Sequence, residues 1–206
     1  MIAIIDYGMG NVRSVYNTIE YIGEEAIITS DPSEINDASH IILPGVGAFG
    51  DAMTNLAKRD LIDVLRQQVF EKGKPFLGIC LGLQLLAKFG HEHGFHNGLG
   101  WLDAEVIKFK LEGTSLKIPH MGWNDIKLMV DHPLFSGLNE DQTAFYFVHS
   151  YHIVCSNEKN VVAVCNYGYD FAAAVYEDNF IATQFHPEKS QENGIQVMEN
   201  FVNWRP

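Results

Sequence analysis

Three side chains able to do nucleophilic chemistry stand at sharply punctuated places in this 206-residue sequence: a cysteine between glycines, and a histidine and a glutamate two positions apart. Cys80 lies in Lys74-Pro-Phe-Leu-Gly-Ile-Cys80-Leu-Gly-Leu-Gln-Leu-Leu86. The pattern predicts a short buried strand over 75–79, a sharp turn, and a helix opening at Leu81. Glycine at 78 and 82 permits the crowded strand-to-helix turn of a nucleophile elbow. A thiol there points out of the sheet edge, where the first amides of the helix lower its pKa and can hold an oxyanion. Taken alone, the segment also admits a buried structural cysteine, because a free thiol packs as a small hydrophobe.

The second group is Gln184-Phe-His186-Pro-Glu188-Lys189-Ser190, at the exit of an apolar run over 180–184. In extended backbone His186 and Glu188 project to one side, and Pro187 keeps His186 extended. The pair suits a base held by a carboxylate: Glu188 fixes the imidazole tautomer while His186 takes the thiol proton. A purely structural His-Pro-Glu turn is the alternative, and a glycine-flanked cysteine in the same chain weakens it. The acid follows the histidine directly, unlike the α/β-hydrolases, where it precedes by many residues. Cys155 and Cys165 lie in β-rich runs without a glycine turn and read as filler. The third group, Pro44-Gly45-Val46-Gly47-Ala48-Phe49-Gly50, follows the strand over 40–43. It reads either as a plain loop or, at the carboxyl edge of an α/β sheet, as bare N–H groups facing a ligand.

These groups need a scaffold, and apolar runs alternating with amphipathic segments supply one. Strands over 2–7, 26–29, 40–43 and 75–79 alternate with helices after Asn11 and Pro32 and over 51–72, the last broken near Arg59-Asp60. That alternation implies a largely parallel sheet with helices on both faces. Gly8 and Gly10 fit a tight turn better than a dinucleotide fingerprint, since Arg13 occupies the third glycine position. Beyond Trp101 the chain becomes β-rich, with strands over 104–110, 115–118, 123–129, 143–148, 152–155, 161–166, 172–176 and 180–184, then a helix over 195–204. The stretch Gly90–Gly98, with His91, His93 and His96, reads as a solvated loop rather than a metal site, which wants four well-spaced ligands. No linker or repeat divides the chain, so residues 1–206 are read as one α/β domain.

Composition closes off other classes. The net charge of −12 is spread along the chain and argues against nucleic-acid binding, which needs a basic face. The apolar start is short and stopped by Asp6, so neither a signal peptide nor a membrane span is expected. Three cysteines make no disulfide framework, and a reduced cytoplasmic setting fits.

Gly-Ile-Cys80-Leu-Gly-Leu-Gln84 together with His186-Pro-Glu188 resembles the class I glutamine amidotransferases. Asp6-Tyr-Gly-Met-Gly-Asn11, Pro44-Gly-Val-Gly-Ala-Phe49, Pro119-His-Met-Gly-Trp-Asn124, Phe147-Val-His-Ser-Tyr151 and Phe185-His-Pro-Glu-Lys-Ser190 narrow this to the glutaminase subunits of imidazole glycerol phosphate synthase, from histidine biosynthesis. The resemblance spans nearly the whole chain. It implies Cys80 as nucleophile, His186 as base and Glu188 as its orienter. Gly45, Val46 and Gly47 match the oxyanion strand, working with the amide of Leu81. Gln84 and Glu92 match positions that hold glutamine, and Ser150 and Tyr151 lie where its α-carboxylate is received. The loop bearing Glu92 departs from the more acidic, glycine-rich form expected of the family. The resemblance implies no cofactor and a (β/α)8-barrel cyclase partner that consumes the ammonia. Met121, Trp123 and Lys189 match places near that interface and the ammonia exit. Two rival readings are a stand-alone cysteine hydrolase of similar fold and a non-catalytic, glutaminase-like binding subunit.

Overall fold

The structure, a computed structural model, describes residues 1–138 and 143–206. Its first strand, β1 (Ile2–Ile5), is buried along its whole length. Ile2 and Ile4 join one core while Ala3 and Ile5 join the other, because successive strand residues point to opposite faces. A sheet buried on both faces is what such continuous apolar strands require. Parallel neighbours follow: β2 (Ala26–Thr29), β3 (His40–Gly45) and β4 (Phe76–Cys80). Between them run α1 (Val12–Tyr21), α2 (Pro32–Asp37), α3 (Phe49–Lys58), α4 (Leu61–Arg66) and a π-helical turn over Gln67–Glu71. Asp31 caps α2 by accepting from the Ser33 amide at 2.7 Å. The expected break is real: Asp60 sits at φ 55° between α3 and α4.

After α5 (Leu81–Gln84) come the short strands β5 (Ala87–Gly90) and β6 (His96–Asn97), then β7 (Leu102–Lys108), β8 (His120–Leu128), β9 (Ala144–His149) and β10 (Tyr151–Cys155). The remaining strands are β11 (Val161–Asn166), β12 (Asp170–Glu177) and β13 (Phe180–Thr183), and α6 (Gln191–Asn203) closes the chain. The main sheet runs β2-β1-β3-β4-β13-β12-β11-β8-β9, parallel as far as β13 and antiparallel beyond it. A smaller sheet, β10-β7-β5-β6, lies beside it. The architecture is the expected α/β one with a β-rich second half.

Three local expectations are corrected. The helix opening at Leu81 ends at Gln84 and the chain turns into β5, because Leu83, Leu85, Leu86 and Ala87 are all buried; an apolar run without polar interruption has no periodicity to separate helix from strand. The histidine stretch is not wholly loop, since β6 pairs with β5. Residues 115–118 form no strand: Leu116 and Ile118 are exposed, and the Lys117 carbonyl accepts from the Tyr167 hydroxyl at 2.7 Å; apolar residues favour strands only where a neighbour packs on them.

Candidate active site

Three adjacent parallel strands deliver three chemical groups to one edge. β3 ends in Gly45, which pairs with Cys80 at the end of β4, and β13 lies on the other side with Thr183 opposite Ile79. His186 follows three residues later. In an open α/β sheet, the carboxyl ends of the strands are where ligands bind.

Cys80 takes φ 55° and ψ −107°, a backbone conformation costly for a residue with a side chain. Close packing around it enforces this. A Cβ on Gly82 would lie 1.9 Å from the Leu43 carbonyl oxygen, and one on Gly78 would lie 2.8 Å from the Gly82 oxygen. The elbow therefore nests against β3 only because both positions lack a side chain. The thiol is nearly buried, with Gln184 Nε2 3.7 Å from its sulfur and the Val148 carbonyl at 4.0 Å.

His186 Nδ1 donates to Glu188 Oε1 at 2.8 Å, with both side chains almost wholly buried. The route to this contact differs from the extended one expected. His186 is extended, but Pro187–Lys189 forms a 3-10 turn that swings the carboxylate back to the ring's Nδ1 edge. The turn is held by Ser190 Oγ donating to the His186 carbonyl at 2.6 Å and by the His186 amide donating to the Tyr146 carbonyl at 2.9 Å. With Nδ1 committed to Glu188, Nε2 is the free nitrogen. It makes no hydrogen bond of good geometry, yet Cys80 is near enough to act on it by charge. Burial alone would lower the imidazole pKa, but the Cys80 sulfur and the Glu188 carboxylate outweigh it and push the value up to about 10. Burial pushes the thiol of Cys155 up to about 11 and that of Cys165 up to about 12. Neither is a thiolate near neutrality.

A cavity of about 440 Å³ opens on Cys80 and is bordered by Val46, Gly47, Leu81, Gln84, Glu92, Ser150 and Tyr151. The structure thus gathers the expected substrate-side residues in one place. Gln84 spends its amide nitrogen on the Tyr151 carbonyl (2.9 Å) and on Gln184 Oε1 (3.1 Å). Glu92, half-buried, accepts from the Phe49 amide at 2.8 Å, at the start of α3. Gly47 has φ +104°, open only to glycine without strain, and the Val46 N–H is turned toward the Met9 carbonyl at 3.4 Å. Among the neighbouring histidines, His91 pairs with Glu105 at 2.9 Å and His96 packs over Gly50.

Met121 and Trp123 lie elsewhere, 62% and 48% exposed on one side of β8. Trp123 and Lys189 both approach Tyr146, at 6.1 Å and 5.9 Å, so they share one face. Sequence reading missed Gln184 and His149 as parts of this site. Their signal was burial of an amide and an imidazole among apolar strand residues, visible only after folding.

The family model "Glutamine amidotransferase class-I" matches residues 3–204, and the chain belongs to that family. It is 52% identical to "Imidazole glycerol phosphate synthase subunit HisH 2" of Nitrobacter winogradskyi, covering 100% of this chain and 99% of that protein. It is 50% identical to the protein of the same description in Methanococcus maripaludis, covering 98% of each. Among solved structures, PurLQS from Thermotoga maritima shares the fold with a TM-score of 0.76 at 21% identity, over 98% of this chain and 97% of that one. Among the described residues, no helix is long and apolar enough to cross a membrane.

Proposed function

We propose that residues 1–206 act as one glutaminase domain of an imidazole glycerol phosphate synthase, hydrolysing L-glutamine to glutamate and ammonia. The reading rests on the chain's family and on its full-length likeness to the HisH proteins. The observation that carries the chemistry is His186, locked by Glu188 at 2.8 Å with its Nε2 left free beside Cys80.

In this mechanism the Cys80 thiolate attacks the side-chain amide carbon of glutamine. The C–N bond breaks as His186 Nε2–H protonates the departing nitrogen, leaving a γ-glutamyl thioester and ammonia. Water then attacks the thioester, gives its proton to His186, and releases glutamate and the thiolate. Glu188 holds the ring and stabilises its charged form. The Leu81 amide and an amide of the Gly45–Val46–Gly47 segment receive the oxyanion. Gln84, Glu92, Ser150 and Tyr151 hold the substrate, whose α-carboxylate is received at Ser150-Tyr151.

The ammonia passes to a (β/α)8-barrel cyclase subunit docked over the face carrying Met121, Trp123 and Lys189. Since the Val46 N–H is aimed at Met9, this conformation is the resting one. Partner and acceptor ligand would favour rotation of the peptide planes beside Gly47. A glutamine-analogue electrophile tests the assignment: mass spectrometry should find it on Cys80 and not on Cys155 or Cys165. Label on either of the latter, with Cys80 unmodified, would refute it.

A further inference from the structure

The polar groups beside the site form one connected run, whose two arms both donate to the Tyr151 carbonyl oxygen. His120 and His149 stand opposite each other across the β8–β9 ladder, both buried. His149 Nδ1 lies 2.8 Å from the Tyr151 carbonyl oxygen, which can only accept, so Nδ1 carries the proton and Nε2 accepts. That nitrogen is 3.1 Å from His120 Nδ1, which must therefore be the donor. His120 Nε2 in turn accepts from Asn124 Nδ2 at 3.4 Å, whose other bond, at 2.9 Å, goes to the Asn166 carbonyl. The Tyr151 carbonyl also takes Gln84 Nε2 at 2.9 Å; Gln84 Nε2 reaches Gln184 Oε1 at 3.1 Å; and Gln184 Nε2 reaches the Cys80 sulfur at 3.7 Å. An unbroken series of polar contacts joins β8 to the nucleophile.

The His120 ring is held in place by packing: it stacks on Tyr167 with centroids 4.1 Å apart and on Phe147 at 4.8 Å. Both imidazoles must stay neutral for the series to close, since a protonated His149 would set donor against donor. The surroundings favour that. Burial lowers His120 to about 4 and His149 to about 3, with His120, His152 and His186 adding like-charge opposition around His149.

We propose that this series is a positioning relay, which aims the Gln184 amide at the Cys80 sulfur and ties the nucleophile to the strand bearing Met121 and Trp123. The inference rests on Cys80 being the nucleophile. Gln184 donates to the thiolate and favours it over the thiol, as hydrogen bonds to a charged form do. His149 borders the cavity, whereas His120 acts only through His149, Tyr151 and Gln84. The exposed residues of β8 alternate with His120 and Asn124, so a partner pressing on that face bears on the far end of the relay.

The test is the rate of Cys80 alkylation by iodoacetamide as a function of pH in the full chain, read by peptide mass so that Cys155 and Cys165 are scored separately. Gln184→Leu should slow alkylation at neutral pH about tenfold and move its midpoint up by about one unit, the size of one hydrogen bond to a charged group. His120→Gln, whose amide falls at the Nε2 position, should shift both in the same direction. His120→Asn, whose amide falls at Nδ1, should recover most of the loss. A merely structural role would order the variants by unfolding midpoint instead, so that is measured alongside. If His120→Gln does not fold, Gln184→Leu decides, with alkylation in His120→Asn expected close to that of the parent. Parent-like alkylation in Gln184→Leu, or an Asn variant as impaired as the Gln one, would overturn the relay. A parent chain that alkylates at Cys80 but releases no glutamate in its complex would instead overturn the functional reading and leave the relay standing.

Discussion

The glutamate at 188 is buried with one oxygen on His186 Nδ1 and the other without a partner, so its charge is directed at the imidazole alone. Glu188→Gln keeps a hydrogen-bonding side chain but loses the carboxylate that stabilises imidazolium. Glutamine hydrolysis in the assembled enzyme should fall on the order of 10³-fold or more in kcat. A loss under tenfold in steady-state assays would make Glu188 a structural residue. That Cys80, His186 and Glu188 stand out was legible in the sequence, because they sit beside glycine and proline, whose backbone demands are local. Gln184 was not, although it stands two residues from His186. An amide at the end of an apolar strand gives no sign of its partner when that partner is 104 positions away.

At the scale of elements, the site is the meeting of β3, β4 and β13, and the elbow depends on how closely α5 approaches β3. Gly82→Ala would drive a methyl into the Leu43 carbonyl, backbone that cannot yield without moving β3. The expected cost is about 1–3 kcal/mol, as for overpacked cores, seen as a lower urea midpoint; an unchanged midpoint would mean the elbow tolerates a side chain. Gly47 makes a complementary case. Its φ of +104° cannot be reached by proline, so Gly47→Pro should hold the partner-stimulated rate near the basal one while assembly persists. Normal stimulation in that variant would rule out a role for the Gly45–Gly47 segment in the proposed control. The parallel strands were legible because burial on both faces leaves unbroken apolar runs. The insertion of β13 beside β4 was not, because pairing between strands far apart in sequence leaves no local pattern. The same holds for α5, whose four residues are set by the close approach to β3 rather than by any helical stripe.

Across the whole molecule, charge and burial set how the chain responds to pH. His120 and His149 have folded-state values of about 4 and about 3, below the ordinary histidine value near 6.5. The unfolded chain therefore takes up protons first as pH falls. Their contribution to stability is complete above about 6.5 and is lost progressively as pH falls, toward about 4 for His120 and about 3 for His149. Urea midpoints should drop between pH 7.5 and 5, with a shallower drop in His120→Asn; equal slopes would contradict the assignment. The exposed aromatic face is the other whole-molecule feature. Trp123→Ala should weaken binding of the cyclase subunit by about 2 kcal/mol, the cost typical of a buried aromatic anchor, as read by calorimetric titration. The most direct measurement is product formation by the assembled enzyme carrying Cys80→Ala, with glutamine or with ammonium as nitrogen source. Loss of glutamine-dependent turnover with ammonium-dependent turnover retained is the predicted result. Glutamate release by the variant at a rate comparable to the parent would contradict the account.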